Sequence, residues 1–270
     1  MKFTIASISA ALLAVSTVSG ASIKRQEAPQ DQTASQYPAN IDLGSLNGTW
    51  YLTGVTQNVW DLYSIAQKTM NIDVNCLQMD VSQTSNTSFD AFGSTLLTHT
   101  GTDVGVNASA ASAFFLQQPD SSVNLTDSEY LWTAYASQIF VNEAQWKNFT
   151  SNGQSQENST ESGSKVVPGS KPVEATIYSK LIDSNAEPGS NTTENVDTIF
   201  LWGSKAKFID DSESQKRAEE VYGVILSKTS SVAEDVFNKT LALMPSQIAE
   251  NNVTLVLLAD SCQANSTSEN

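Results

Sequence analysis

Between Asp73 and Gln83 the chain alternates, with Leu77, Met79 and Val81 on one side and Cys76, Gln78, Asp80 and Ser82 on the other. A period of two sends successive side chains to opposite faces of a pleated backbone, so this segment is predicted to be a half-buried strand. Polar residues around Asn86 make a turn, and Ser88 to Leu97 is the antiparallel partner. Six further runs have strand character: the start of the compact region at Trp50–Leu52, Ala113–Gln117, Tyr130–Val141, Val173–Ile182, Thr198–Phe208 and Val221–Lys228. Tyr130–Val141 also reads as a helix, because its apolar residues do not alternate cleanly. Eight strands make the chain all-β, and the strand runs resume in the same style throughout, so they belong to one unit.

Two helices are expected beside the strands. Val59, Leu62, Tyr63 and Ala66 fall at helical spacing within Val59–Met70, a segment placed to cross one end of a barrel. Ser231-Val232-Ala233-Glu234 has the form of a capping box. After it Val232, Val236, Phe237, Leu241 and Met244 form one stripe, suited to packing outside the sheet, until Pro245 interrupts the pattern. A last apolar run, Val253–Ala259, reads as a strand leading to Cys262.

Lys2 precedes an apolar run from Phe3 to Val18 that is too short to span a bilayer and ends in small residues. Residues 1–20 therefore read as a secretory signal and 21–40 as a flexible leader. Within the leader, Lys24-Arg25 is either a processing site for a secretory-pathway protease or a plain charged pair. The folded unit is expected over 41–262, with a disordered, glycosylated insertion at about 150–172, a shorter one at 183–195, and a flexible tail at 263–270. Asn-x-Ser/Thr acceptors begin at Asn47, Asn86, Asn107, Asn124, Asn148, Asn158, Asn191, Asn238, Asn252 and Asn265. Their density points to several surface glycans, above all at Asn86, Asn107, Asn124, Asn148, Asn158, Asn191 and Asn238. Cys76 and Cys262 are the only cysteines and would enter an oxidising lumen together, where they are expected to pair. A net charge of -15 and a pI near 4.3 argue against nucleic acid and anionic membrane surfaces as partners. Repulsion between copies explains the charge itself.

Gly48-Thr49-Trp50 on the first strand, Cys76 after it, then Ile225-Leu226-Ser227-Lys228, a helix, a short strand and Cys262 come in an order that resembles a lipocalin of the apolipoprotein D and bacterial lipocalin group. The resemblance implies an eight-stranded antiparallel up-and-down barrel with a C-terminal helix packed outside. It implies a structural floor at Gly48, Trp50 and Lys228, with a basic side chain over the Trp50 ring, although the family usually has arginine where this chain has Lys228. Carried along each strand by alternation, it implies an interior lined by Leu52, Leu77, Met79, Val81, Tyr222, Val224 and Leu226, with Trp60 and Tyr63 at the mouth. Two states of that interior stay open: a cavity for a ligand, or a core filled by its own side chains.

Catalytic signatures are sparse. His99 is the only histidine, so a multi-histidine metal site is excluded, and it sits in Thr98-His99-Thr100-Gly101 without a nucleophile motif. The acidic stretches Asp210-Asp211-Ser212-Glu213 and Glu219-Glu220 lack calcium-loop spacing and read as hydrated turns. No cofactor is implied. The expected function is a secreted, non-enzymatic binding protein that holds a small hydrophobic ligand, whether lipid, sterol-like or pigment-like. The alternative is a glycosylated surface or host-interaction protein that uses the barrel as a scaffold for an extracellular protein partner. A lipocalin-type enzyme acting on an epoxide or isoprenoid ranks last, because no acid-base constellation supports it. The dibasic pair and dense acceptors are compatible in style with a fungal secreted protein.

Overall fold

In the computed structural model, which describes residues 42–100, 104–118, 125, 128–150, 163–168, 170–183, 195–203, 206–208, 221–244 and 255–257, a 3-10 turn (Leu43–Leu46) leads into β1 (Gly48–Thr56) and helix α1 (Gln57–Met70). There follow β2 (Ile72–Ser85), β3 (Ser88–His99), β4 (Gly105–Gln117), β5 (Glu129–Ala136), β6 (Phe140–Asn142), α2 (Glu143–Thr150) and β7 (Ser164–Val166). The remainder is β8 (Val173–Ile182), β9 (Thr198–Gly203), β10 (Ala206–Phe208), β11 (Tyr222–Ser227), α3 (Glu234–Ala242) and β12 (Leu255–Leu257). The strands β1, β2, β3, β4, β5, β8, β9 and β11 pair antiparallel in that order. Since β11 returns to β1, hydrogen bonding closes the eight into a barrel.

Alternation sorts the two faces. Trp50, Leu52, Leu77, Met79, Phe89, Phe114, Trp132, Leu181, Ile199, Leu201, Val224 and Leu226 share one interior cluster. Ile182, Phe200, Trp202 and Ile225, one residue out of phase, form a second cluster outside with Phe237 of α3, and Val232, Leu241 and Met244 pack against it. The helix thus covers the outer wall of β8, β9 and β11, as its stripe predicts. Its capping box does not form: α3 starts at Glu234 behind an Ala233 cap with no side-chain bond. Glu234 and Asp235 in the first turn instead complement the helix dipole.

Two bulges keep the alternation in phase with the barrel. Between Leu52 and Gly54 the pairing of β1 with β11 gains one residue, so Leu52 and Val55 both join the interior cluster. A Cβ on Gly54 would lie 3.0 Å from both Ile225 Cδ1 and Phe237 Cε2, so glycine lets α3 approach β1. A second extra residue between Asn75 and Gln78 coincides with the positive φ of 44° at Cys76.

The predicted Tyr130–Val141 run is two strands. Ser137 ends the first: its hydroxyl takes the Ala111 N–H at 2.8 Å, where a ladder carbonyl would otherwise continue. The chain then forms β6 against Ala108 and Ser109 of β4, α2, and β7 against β6. The predicted 150–172 insertion thus contains a strand at Ser164–Val166, held because Val167 is buried with Val106, Ala108, Val141 and Phe149. Val106 and Ala108 share the inward parity of Phe114 on a strand without a register shift, so this third cluster continues the inner wall past the ring. Thr198–Phe208 likewise divides into β9, in the ring, and β10, which pairs β8 outside it. Residues 1–40, most of 150–172, Pro245 and Cys262 onward lie outside the described residues, as do the acidic stretches at 210–213 and 219–220.

Candidate functional site

The floor of the barrel is built on Trp50, which is wholly buried. Its Nε1 donates to the Leu46 carbonyl at 2.7 Å, so the 3-10 turn that precedes β1 fixes the ring. Lys228 Nζ stands 4.5 Å from the centre of that ring and donates to the Asn47 carbonyl at 2.6 Å. Partial burial lowers its pKa below the ordinary lysine value. Gly48 between them has φ 109°, a left-handed conformation that costs a side-chain-bearing residue. Gly48, Trp50 and Lys228 are thus brought together, with the lysine ammonium over the indole ring.

Above Trp50 the interior is densely filled. Phe89 and Phe114 stack at 4.5 Å, and Trp132 meets Phe89 edge-on at 5.1 Å. Trp132 Nε1 donates to Ser179 Oγ at 2.8 Å, satisfying a buried indole. Met79, Val81, Phe89, Phe114, Trp132 and Leu201 are among the side chains enclosing a cavity of about 10 Å³ there. That is room for about one water, yet Ser179 is the one polar residue on its wall and already accepts from Trp132. A buried water wants two to four polar partners, so the space is apolar in character.

All seven predicted lining residues belong to this interior. Leu52, Leu77, Met79, Val81, Val224 and Leu226 lie in its cluster, and Tyr222 packs half-buried against it. The wall of β3, β4 and β5 was not anticipated. Its inward positions at Ala91, Gly93, Ala108, Ala110, Ser112, Ala134 and Ala136 are all buried and all small. They are laterally continuous, for Ala91 pairs Ser112, Gly93 pairs Ala110 and Ser112 pairs Ala136. The signal for this patch is the run Ala108-Ser109-Ala110-Ala111-Ser112, whose low β-propensity conceals a strand.

Helix α1 closes one side of the mouth. Asn58 holds its start: Nδ2 donates to the Val221 carbonyl at 2.9 Å, and Oδ1 accepts from Val59 N–H at 2.9 Å. Val59 is buried in the interior cluster and Tyr63, one turn on, packs against it. Trp60, more exposed, meets the Tyr63 ring edge-on at 6.5 Å. The Tyr63 hydroxyl is buried and has no hydrogen-bond partner, and burial pushes its pKa well above the ordinary tyrosine value. On the other side α2 brings Trp146 and Phe149, stacked at 5.8 Å, over Val106 and Ala108. His99, at the end of β3, touches the Phe149 ring edge-on at 6.0 Å.

Among the predicted glycan acceptors, Asn86, Asn107 and Asn238 are exposed and Asn148 is half-buried. Asn124, Asn158 and Asn191 lie outside the described residues, as does Cys262. Among the described residues no three His, Cys, Asp or Glu side chains converge as metal ligands, and no helix is long and apolar enough to cross a membrane.

No protein-family model matches the chain, and no curated protein does. Among solved structures it is similar to the siderocalin Ex-FABP, reported to function through dual ligand specificities. That match has 9% identity and a TM-score of 0.32, over 79% of this chain and 93% of the other. A likeness this remote carries no weight, and the fold rests on the strand pairing.

Proposed function

We propose that this protein is a secreted, glycosylated carrier that holds a small hydrophobic molecule inside its barrel and acts by binding, without a cofactor. The observation that supports this reading is the inner wall of the mouth half. There a contiguous patch of buried alanine, glycine and serine runs across β3–β5 and continues to Val106 and Ala108, over which α2 packs. In this reading the small residues of that wall admit a ligand where the tryptophan and phenylalanine of the floor do not, and burial of apolar ligand surface contributes about 25 cal/mol per Å². In this reading Cys76, which is not a free thiol, bonds Cys262 and ties the C-terminal segment to β2. Outside the cell the high negative charge keeps copies apart.

Uptake of a fluorescent lipid by the delipidated protein and by its Val224→Asp and Leu77→Asp variants tests the reading. Burying a carboxylate costs several kcal/mol, so each variant should bind at least tenfold more weakly while secretion persists. Unchanged uptake in secreted variants would remove the interior as the site. The scaffold reading, with a macromolecular partner at the loops, draws support from the water-sized cavity over the floor. It requires that protein purified under mild conditions retain no small molecule by mass spectrometry.

A further inference from the structure

We propose that the mouth half of the barrel selects a neutral lipophile carrying one carbonyl group, and that the Tyr63 hydroxyl donates the hydrogen bond that recognises it. The inference rests on the carrier reading and adds the class of ligand.

Two independent features bear on this. One is the small-residue wall of β3–β5, whose side chains offer little chemistry of their own. The other is Tyr63, which enters from α1 on the face that also buries Val59, with its hydroxyl buried and unpartnered. Most buried polar groups are paired, and an unmet donor is costly. The neighbouring donors do not share this condition, since the Trp50 indole is held by Leu46, the Trp132 indole by Ser179 and the Asn58 amide by Val221. Among the described residues Tyr63 carries the one buried side-chain donor left over, and a ligand carbonyl would complete it.

Charge among the described side chains favours a carbonyl over a carboxylate. The one buried charged group there is the acid Glu129. Lys228 is engaged beneath the floor and His99 lies against Phe149. Among the described residues no buried cation would offset the desolvation of a fatty carboxylate brought to Tyr63, a cost of several kcal/mol. A ketone or ester pays no such penalty. The phenol, kept protonated by its apolar surroundings, remains a donor across the physiological range.

The test compares three probes of equal chain length, methyl undecyl ketone, tridecane and tridecanoate, by displacement of N-phenyl-naphthylamine from the wild type and Tyr63→Phe. The wild type should bind the ketone about tenfold more tightly than the alkane, and tridecanoate more weakly than the ketone. In Tyr63→Phe the ketone preference should vanish while alkane affinity holds. The infrared carbonyl stretch of bound ketone should lie lower in the wild type than in the variant. The variant should melt no lower than the wild type, because it loses a hydroxyl that has no partner. An unaltered ketone-to-alkane ratio in Tyr63→Phe, or tighter binding of tridecanoate than of ketone, would overturn the assignment while leaving the carrier reading intact. Failure of every probe to displace the reporter from the wild type would overturn both.

Discussion

Replacing Lys228 with methionine isolates the floor of the barrel, because methionine keeps the apolar stem and removes only the ammonium group. Two interactions go with that group. The cation over the Trp50 ring, at 4.5 Å and partly exposed, contributes about 0.5–1 kcal/mol. The charged donor to the Asn47 carbonyl contributes about 1.5 kcal/mol more, at the lower end for such bonds. Desolvation of the ammonium, visible in its lowered pKa, works against both and is relieved in the variant. The net loss is therefore about 1–2 kcal/mol. With a urea dependence of about 2–3 kcal/mol per molar, the unfolding midpoint should fall by about 0.3–1 M at unchanged slope. Tryptophan fluorescence and far-ultraviolet dichroism should report the same transition. Lys228→Arg should recover the loss, since guanidinium stacks on indole and donates from a planar fork. Ligand affinity should not change, because Lys228 lies under Trp50 and away from the mouth. A Lys228→Met midpoint within about 0.1 M of the wild type would refute the reasoning; so would an altered slope, which would mean that the variant changed the compactness of a state.

Gly54→Ala should destabilise by about 1–3 kcal/mol, because the new methyl group meets Ile225 and Phe237 at 3.0 Å; urea titration should show the cost shrinking in a Phe237→Leu background. Alkaline titration followed by phenolate absorbance should find Tyr63 and Tyr130 still protonated after exposed tyrosines have ionised, since burial raises both. Their folded values lie above the unfolded value near 10, so the stability they contribute is complete below about pH 10 and is lost as pH rises towards the folded values. Equal ionisation of all tyrosines before unfolding would contradict this.

The parts of this fold that show in the sequence are those where pattern and environment agree. Leu77, Met79 and Val81 alternate because one face of β2 is buried and the other is wet, and register on such a strand is strongly specified. The order of Gly48, Trp50 and Lys228 led to a floor whose ring, cation and carbonyl meet. The stripe of α3 survived because packing selects it, whereas its capping box did not form at all. Helix α2 was missed for a physical reason: its eight residues are too few to be helical alone, and its two aromatics make sense only beside Val106 and Ala108. The early half of β4 was missed because alanine and serine carry little strand preference. Tyr63 was expected at the mouth, but whether its hydroxyl finds a partner depends on neighbours brought in by other strands.

The short accessory strands also bear on how the molecule behaves when crowded. Hydrogen bonding closes the eight long strands into a ring, and among the described residues the path of paired strands ends at β7 and β10, each three residues long. Another molecule attempting to extend the sheet would find at these two ends only a stub on which to dock, too brief to template the open-ended growth that longer bare margins invite. Such bluntness at these ends guards against self-association in a way that surface charge alone, which salt screens, does not.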